Sequence, residues 1–260
     1  MILRGDFLSE TLRTTTNIQA LVPDRAAGPL RIVYLLHGQH GNQGTWIDNT
    51  MLPVFSKQYN AVFVMPEAGR GFYLNPRYGR KYFDYISDEL PCVCRKIFNI
   101  SAAREDTAVM GCSMGGFGSL LLSLTRPDQF GFCGAISPAC LFMESMLEAL
   151  RQDPGPYLKT GAEAVETYND LRSAYGENLE RRKEYEIMEL VKAFPAGMPR
   201  PKIFVSCGIE DKLREENLKF KDFMANTGFD YTYEEWAGGH DWYFFSDALK
   251  KTFEFWNNAE

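Results

Sequence analysis

The chain has 260 residues, of which 45 % are hydrophobic and 24 % charged, and this composition is typical of one large globular domain. Its formal net charge is −6 and its longest basic run, 181–183, is short, so nucleic acid and anionic membranes are disfavoured as partners. No apolar stretch reaches the length of a membrane span, and the first residues lack the layout of a signal peptide, so we expect a cytoplasmic protein.

The predicted elements alternate along the chain, with short apolar runs separated by longer helix-like segments. Residues 7–22 predict early antiparallel strands, and further strands are expected at 31–36, 61–65, 107–110, 132–137, 202–207 and 230–236. Helices are expected near 46–58, 82–98, 114–125, 214–227 and 244–257, with a kink or restart at Pro91. This alternation predicts an α/β fold, with a mainly parallel central sheet flanked by helices, in a single domain over residues 1–260.

Residues 139–200 differ from the rest because they contain no strand-like run and are rich in Glu, Arg and Tyr. Proline- and glycine-containing segments at 154–156 and 195–199 bracket the helices expected there. We therefore expect a helical excursion between two late strands. The sequence leaves open whether it forms a small cap over the functional site or a solvated helical connection.

The six cysteines do not follow a metal-binding spacing. Cys92 and Cys94 are too close together for a zinc knuckle, and no histidine pair accompanies them. Cys112, Cys133 and Cys207 lie in or beside apolar strands, where a free cysteine packs as a small hydrophobic residue. We expect six reduced thiols, no metal site and no organic cofactor.

The most specific motif is Gly-Cys-Ser-Met-Gly, residues 111–115, between a predicted strand and a predicted helix. In this context the motif is typical of a nucleophile elbow, in which Ser113 occupies an unfavourable backbone conformation and projects its hydroxyl from the sheet edge. Close packing of strand and helix requires glycine at 111 and 115. The N–H of Met114, at the helix N-terminus, is expected to face a developing oxyanion. The alternative is a glycine-rich turn whose serine only caps the helix.

A nucleophilic serine needs a general base, and the chain has three histidines. His240 follows the last strand and two glycines, and the order serine, acid, histidine matches the α/β-hydrolase arrangement. We therefore predict His240 as the base. His37 and His40 lie in the loop directly after the first buried strand. In this architecture that loop supplies a backbone oxyanion donor, and a histidine in it usually forms structural hydrogen bonds, so we expect a structural role there.

The predicted acid comes from the loop after strand 202–207. Asp211 in this loop would hold the His240 tautomer and stabilise the imidazolium. Glu210 is an open alternative, because spacing alone does not exclude it. Asp241 is disfavoured, since a residue adjacent to the base seldom reaches its neighbour's ring. Asp211 could instead serve only as a helix cap.

Several segments in one order resemble the esterase D-like branch of the α/β hydrolases, which includes tributyrin, feruloyl and acetyl esterases and S-formylglutathione hydrolases. The matching segments, spread over residues 7–256, are 34–38 with Gly41, Asn42 and Trp46, then 64–66, 89–91, 111–116, 208–211 and 238–242. The resemblance implies Asp211 rather than Glu210 as the acid, and the N–H of Gln39 as the oxyanion donor beside that of Met114.

The resemblance implies a serine carboxylesterase that hydrolyses short-chain acyl, acetyl or feruloyl esters through an acyl-enzyme. S-formylglutathione hydrolases carry Ser-Gly-Leu-Thr-Cys where this chain has residues 37–41, which favours the tributyrin or feruloyl type. A thioesterase of that kind and an acyltransferase on the same scaffold are the alternatives. A small-molecule ester, acylated carbohydrates included, is the expected partner, and a homo-oligomer is compatible with the family. Aromatic residues expected to rim the site are Trp46, Phe72, Tyr73, Tyr78 and Trp242.

Overall fold

An eight-stranded sheet forms the centre of the computed structural model, which describes residues 1–258; the last two residues of the predicted domain 1–260 lie outside it. The strands are β1 (Ile2–Ser9), β2 (Thr14–Leu21), β3 (Arg31–Leu36), β4 (Ala61–Pro66), β5 (Thr107–Cys112), β6 (Phe132–Ile136), β7 (Lys202–Gly208) and β8 (Tyr231–Trp236). Their order is β1-β2-β4-β3-β5-β6-β7-β8. β2 pairs antiparallel with β1 and β4, and the other pairs are parallel, which confirms the predicted mainly parallel sheet.

Helices cover both faces of this sheet. They are α1 (Thr45–Asn49), α2 (Leu52–Phe55), α3 (Tyr82–Asp84), α4 (Leu90–Ile97), α5 (Met114–Thr125), α6 (Met143–Gln152), α7 (Gly155–Lys159), α8 (Ala162–Tyr175), α9 (Ile187–Lys192), α10 (Arg214–Met224) and α11 (Trp242–Asn257). Within the described residues, none of the helices is both long and apolar enough to cross a membrane.

Two predicted helices are divided in the structure. The segment 46–58 forms α1, α2 and a 3₁₀ turn, and the segment 82–98 forms α3, a π-helical turn at Tyr85–Glu89 and then α4. Pro91 is the second residue of α4 and follows the π-helical turn, in which the Leu90 N–H still donates to the Tyr85 carbonyl. The helix therefore continues through this region, and the kink or restart predicted at the proline takes the form of a π-helical change in hydrogen-bond register just before it.

The central strands are buried on both faces because alternate side chains enter two separate cores. Tyr34 and Leu36 of β3 pack in one core with Phe117 of α5. Val33 of the same strand packs in the other core with Phe253 of α11. The sheet is thereby held between two helical layers, and its carboxyl edge is left to carry the loops that follow each parallel strand.

Candidate active site

Ser113 lies in the sharp turn between β5 and α5, with φ 55° and ψ −119°. This conformation is unfavourable for a residue with a side chain, and the neighbouring backbone sustains it. A Cβ added at Gly111 would lie 2.6 Å from the Gly115 carbonyl carbon, and one added at Gly115 would lie 2.7 Å from the Leu36 carbonyl carbon. Direct backbone contact between β3, β5 and α5 therefore holds the serine at the sheet edge, as the motif predicts.

Three side chains predicted from separate parts of the sequence are brought together here. His240 Nε2 lies 3.0 Å from Ser113 Oγ, and His240 Nδ1 lies 2.8 Å from Asp211 Oδ2. Because a carboxylate accepts hydrogen bonds, it favours the tautomer with the proton on Nδ1. Nε2 is then the acceptor that faces the serine hydroxyl.

The Asp211 carboxyl is fully buried and uses both oxygens. Oδ2 accepts from His240, and Oδ1 accepts from the Leu213 N–H at 2.8 Å, just before α10. Burial acts to raise the pKa of Asp211, but the hydrogen bonds from His240 and Leu213 outweigh it and hold the pKa below its ordinary value. The carboxylate thus both holds the imidazole and shapes the start of the helix.

The two other acidic side chains considered from the sequence are engaged elsewhere. Glu210 accepts a hydrogen bond from the Gly238 N–H at 2.5 Å and so ties together the loops after β7 and β8. Asp241 caps α11, where its Oδ1 accepts from the N–H groups of Tyr243 and Phe244 at 3.0 Å each. Both carboxylates therefore have local structural partners.

Two backbone N–H groups were predicted as oxyanion donors. Met114 is the first residue of α5, and Gln39 follows β3 in the loop at the same sheet edge. Within residues 1–258 neither N–H donates a hydrogen bond, and both residues line the cavity that contains Ser113. Unpaired N–H groups beside a nucleophile are suited to binding a negatively charged oxygen.

The two remaining histidines differ sharply in environment. His37 is buried; its Nδ1–H donates to the Gly38 carbonyl at 2.8 Å, and its Nε2 accepts from the Ala68 N–H at 3.2 Å. Burial lowers the pKa of His37, so the ring is neutral and ties the loop after β3 to the loop after β4. His40 is exposed, with Nε2 3.4 Å from Glu163 Oε1 in α8.

A cavity of 930 Å³ opens around Ser113 and His240. One wall comes from the loops at the sheet edge. The opposite wall comes from the helical excursion between β6 and β7, and its lining residues are Ala139, Cys140, Phe142, Met146, Tyr157, Thr160, Gly161, Ala162, Glu163, Ala164 and Thr167. The excursion therefore faces the serine across the cavity.

The aromatic residues predicted to rim the site separate into two groups. Phe72 and Trp242 line the cavity. Trp46 and Tyr73 are completely buried, where Trp46 Nε1 donates to the Leu36 carbonyl at 3.0 Å and the Tyr73 hydroxyl donates to the His37 carbonyl at 2.8 Å. Predicting these two as substrate-contacting residues was wrong, because a loop aromatic beside a strand packs into the core as readily as into a cavity.

Tyr78, the remaining aromatic residue of that prediction, is half exposed and borders a separate small cavity. It is therefore not part of the wall around Ser113. Trp242 instead packs edge to face on the buried Trp46, with ring centroids 5.2 Å apart, so Trp46 supports the cavity wall from beneath.

One set of contacts has no signal in the sequence. The Gln39 side-chain Nε2 lies 3.3 Å from Thr167 Oγ1 and 3.4 Å from Asp170 Oδ2, both in α8. Asp170 Oδ2 also accepts from Arg70 Nε at 2.7 Å. The excursion is thereby tethered to Gln39, whose backbone N–H is one of the two predicted oxyanion donors. More than 120 residues separate the partners, so no local pattern reveals the contact.

Glu216 of α10 was also not identified from the sequence. Its Oε1 accepts from the N–H groups of Leu141 at 2.6 Å and Phe142 at 3.3 Å, in the segment that leads from β6 into the excursion. Burial raises the pKa of Glu216. This carboxyl lines the cavity and fixes the start of the excursion against the sheet edge.

Comparison with known proteins places the chain in a family. The esterase family model matches residues 9–255. An acetyl esterase from Caldicellulosiruptor saccharolyticus is 30 % identical over 266 residues, covering 97 % of this chain and 97 % of the relative.

Two solved structures from Staphylococcus aureus share the fold. The fluorophosphonate-binding serine hydrolase FphF has a TM-score of 0.85 and 23 % identity, covering 99 % of this chain and 98 % of its own. The S-formylglutathione hydrolase FrmB has a TM-score of 0.82 and 24 % identity, covering 99 % of each chain. These neighbours confirm the predicted α/β-hydrolase architecture. With the family match over nearly the whole chain, we conclude that this protein belongs to the esterase family and is a carboxylic ester hydrolase.

Proposed function

We propose that the protein is a serine carboxylesterase in which Ser113 is the nucleophile, His240 the general base and Asp211 the acid that orients it. The observation that carries this proposal is the continuous hydrogen-bonded series, 3.0 Å from serine to imidazole and 2.8 Å from imidazole to carboxylate. A solvated serine is a weak nucleophile, and an imidazole held in this tautomer removes its proton as the bond to the carbonyl forms.

The reaction proceeds in two stages. Ser113 Oγ attacks the ester carbonyl while its proton passes to His240 Nε2, and the resulting tetrahedral intermediate collapses as this proton is transferred to the departing alcohol. Water then enters, gives a proton to His240 and attacks the acyl-enzyme, and the second intermediate releases the carboxylic acid with the proton returning to Ser113. Each stage conserves protons and requires no oxidant or reductant.

The N–H groups of Met114 and Gln39 bind the oxyanion of both intermediates. Each is worth about 3 kcal/mol of transition-state stabilisation, on the scale of donors removed from other serine hydrolases. Both N–H groups lack a hydrogen-bond partner within residues 1–258, and both residues line the cavity that contains Ser113, which supports this role. The helix dipole of α5 adds to the Met114 contribution, because Met114 stands at its positive end.

We propose short-chain acyl esters, with acetyl esters foremost and feruloyl esters next, as the substrates. The 30 % sequence identity with an acetyl esterase over 97 % of the chain supports acetyl esters. A cavity of 930 Å³ leaves room for a larger phenolic acyl group, and Phe72 offers it an apolar wall. Residues 139–200 act as a small cap within a single hydrolase domain, covering the acyl group.

S-formylglutathione hydrolysis is the second candidate, favoured by the shared fold with FrmB from Staphylococcus aureus. The same triad would cleave a thioester, with the thiol as the leaving group. An acyltransferase would also use these residues and would differ in passing the acyl group to an alcohol instead of water.

A panel of p-nitrophenyl acetate, butyrate, methyl ferulate and S-formylglutathione tests the proposal. We expect the highest kcat/KM on acetate, and fluorophosphonate labelling of the wild type but not of Ser113→Ala. A higher kcat/KM on S-formylglutathione than on every oxygen ester would select the second candidate. Product analysis with added alcohol would reveal an acyltransferase. If fluorophosphonate labelled Ser113→Ala at the wild-type rate, Ser113 would not be the nucleophile.

A further inference from the structure

The outer edge of β1 is unpaired within the described residues. β1 is the first strand in the order of the sheet, and β2 is its one neighbour there. The Val22 N–H donates to the Met1 carbonyl at 2.9 Å, and the Met1 amino group donates to the Val22 carbonyl at 2.7 Å. Because hydrogen-bonding groups alternate in direction along a strand, the odd-numbered residues of β1 face β2. The N–H and C=O groups of its even-numbered residues, from Ile2 to Leu8, therefore point outward, where a further strand can pair with them.

Both ends of β1 are fixed to the rest of the molecule. Its start is hydrogen-bonded to the segment after β2. At its end, the Ser9 hydroxyl donates to Glu89 Oε2 at 2.5 Å and accepts from the Leu12 N–H at 2.9 Å. Leu3 and Phe7 pack against the core beneath the strand. A strand already held in an extended conformation loses little conformational entropy when another strand pairs with it.

The outward-pointing residues of β1 also carry side chains without a partner in the described residues. Arg4 and Asp6 are exposed, and within residues 1–258 neither makes an ion pair or a side-chain hydrogen bond. Ile2 and Leu8 are large apolar side chains that are 40 % and 70 % exposed. Alternate residues of a strand share one face of the sheet, so this face presents an apolar, a basic, an acidic and an apolar side chain in succession.

This succession is complementary to itself when two copies of the strand run antiparallel. If Gly5 of each copy lies at a twofold axis, Arg4 lies opposite Asp6 of the second copy, and Ile2 lies opposite Leu8 of the second copy. The even-numbered residues then form the hydrogen-bonded pairs, as the direction of their backbone groups requires. A register shifted by two residues would place Arg4 opposite Arg4 or Asp6 opposite Asp6. Like charges therefore disfavour the neighbouring registers.

The opposite edge of the sheet lacks this complementarity. β8 carries two adjacent acidic residues, Glu234 and Glu235, and its sequence contains no basic residue. Glu235 is also already paired with Arg214 at 2.8 Å. Two copies of β8 would therefore bring negative charges together. Of the two edges of the sheet, β1 is the one whose charges fit a second copy of itself.

We propose that β1 is the contact surface through which two copies of this chain form a twofold-symmetric dimer, joined by antiparallel pairing of the two β1 strands about Gly5. The two eight-stranded sheets then become one continuous sheet. The pair of Arg4 with Asp6 occurs twice, and the contact of Ile2 with Leu8 lies on each side of these charges. Three strands separate β1 from β5, so the dimer leaves the cavity around Ser113 open.

The molar mass in solution tests the dimer. Light scattering coupled to size-exclusion chromatography should give twice the chain mass of 29.6 kDa for the wild type at micromolar concentration. Arg4→Asp places like charges opposite each other at two positions and should weaken dimerisation about a hundredfold, which yields a monomer. The double variant Arg4→Asp/Asp6→Arg exchanges the charges and should restore the dimer. Glu234→Arg reverses a charge at the other edge of the sheet; it is the control and should remain dimeric.

Disulfide cross-linking tests the register. In the proposed pairing, Gly5 faces Gly5 of the second copy as a non-hydrogen-bonded pair with Cα atoms about 4.5 Å apart, which suits a disulfide. A Cβ at Gly5 meets nothing within 4 Å in its own chain. Gly5→Cys treated with oxidised glutathione should therefore run as a covalent dimer on a non-reducing gel. The wild type, with its exposed Cys92, is the control for other thiols, and Gly5→Cys combined with Arg4→Asp should not cross-link.

The outcomes separate the dimer from the proposed function. A monomeric wild type, or a folded Arg4→Asp variant that stays fully dimeric, would refute the β1 dimer and leave the esterase proposal standing. Loss of the dimer in Glu234→Arg but not in Arg4→Asp would place the contact at β8 and overturn the proposal. The wild type and Arg4→Asp should have equal kcat/KM on p-nitrophenyl acetate, because the dimer contact is remote from Ser113. A dimeric wild type without activity on any ester would refute the esterase proposal alone.

Discussion

The carboxyl edge of the sheet and the excursion above it are constructed from different kinds of contact. At the edge, backbone segments are in direct contact, and Gly115 packs against the Leu36 carbonyl. In the excursion, charged side chains make the connections, including Arg70 to Asp170 at 2.7 Å and Arg181 to both oxygens of Glu186 at 2.7 Å each. A Cβ at Gly111 or Gly115 would overlap backbone atoms, whereas the contacts of the excursion join the ends of flexible side chains. We call the sheet edge the rigid region and the excursion the adaptable region. Under the proposed function the reacting groups lie in the rigid region, and the adaptable region lines the cavity that receives the acyl group.

The largest expected effect comes from removing the reacting groups at the rigid edge. Ser113→Ala and His240→Ala should each lower kcat by about 10⁴-fold or more, and Asp211→Asn by about 10³- to 10⁴-fold. Steady-state hydrolysis of p-nitrophenyl acetate measures this, with circular dichroism to show that each variant is folded. If a folded Asp211→Asn retained wild-type turnover, the acid would have to be reassigned.

The next largest effect is the loss of stability expected when a methyl group is added where two backbone segments are in contact. Gly115→Ala should destabilise the protein by about 3 kcal/mol or more, because its Cβ has no space beside Leu36. Urea unfolding measures the change. Gly5→Ala in β1 is the control, since a Cβ there meets nothing within 4 Å, and its free energy of unfolding should stay near the wild-type value. Equal stability of the two variants would contradict the tight-edge description.

The tether between the two regions should have an intermediate effect. Asp170→Asn weakens the acceptor that holds Arg70 and the Gln39 side chain, so kcat should fall about fivefold while KM changes little. Glu166→Gln, on the same helix and 3.6 Å from the same arginine, is the control and should leave kcat unchanged. A wild-type kcat in Asp170→Asn would mean that the excursion does not position the loop after β3.

Measuring the free energy of unfolding as a function of pH tests the Asp211 carboxylate at the sheet edge. Because the pKa of Asp211 is lowered on folding, its ionised form is favoured in the folded protein. The resulting stabilisation is present above the ordinary value of 3.8 and is lost as the pH falls through the lowered value. The free energy of unfolding should therefore decline less steeply on acidification in Asp211→Asn than in the wild type. If the free energy of unfolding fell with pH equally in both proteins, Asp211 would not contribute to the pH dependence of stability.

The smallest effect is expected next to His240, the proposed general base. Asp241→Asn should leave kcat unchanged and stability nearly so, because asparagine caps a helix as well as aspartate does, whereas Asp241→Ala should cost about 1 kcal/mol. Thermal unfolding and turnover of both variants provide the comparison. A large drop in kcat for Asp241→Asn would indicate that this carboxylate supports the imidazole.

The rigid region was largely predictable from sequence, and the adaptable one was not. The β3 and β5 runs and the Ser113 turn follow from local apolar pattern and glycine spacing, so the elbow could be derived. The identity of the acid needed the family resemblance to separate Asp211 from Glu210. Contacts such as Gln39 with Asp170 depend on how distant segments dock, which no local pattern encodes. Burial of Trp46 likewise depends on tertiary packing.

The excursion leaves and re-enters the sheet between two neighbouring strands, β6 and β7, whose parallel pairing runs from Phe132 with Lys202 to Ile136 with Ser206. A crossover of this kind can change length or sequence while the ladder on either side keeps its alignment. The excursion between β6 and β7 is therefore a suitable segment to replace with that of a related protein. Transplanting the corresponding stretch from a relative with other preferences should transfer acyl selectivity while leaving the catalytic machinery in its original scaffold.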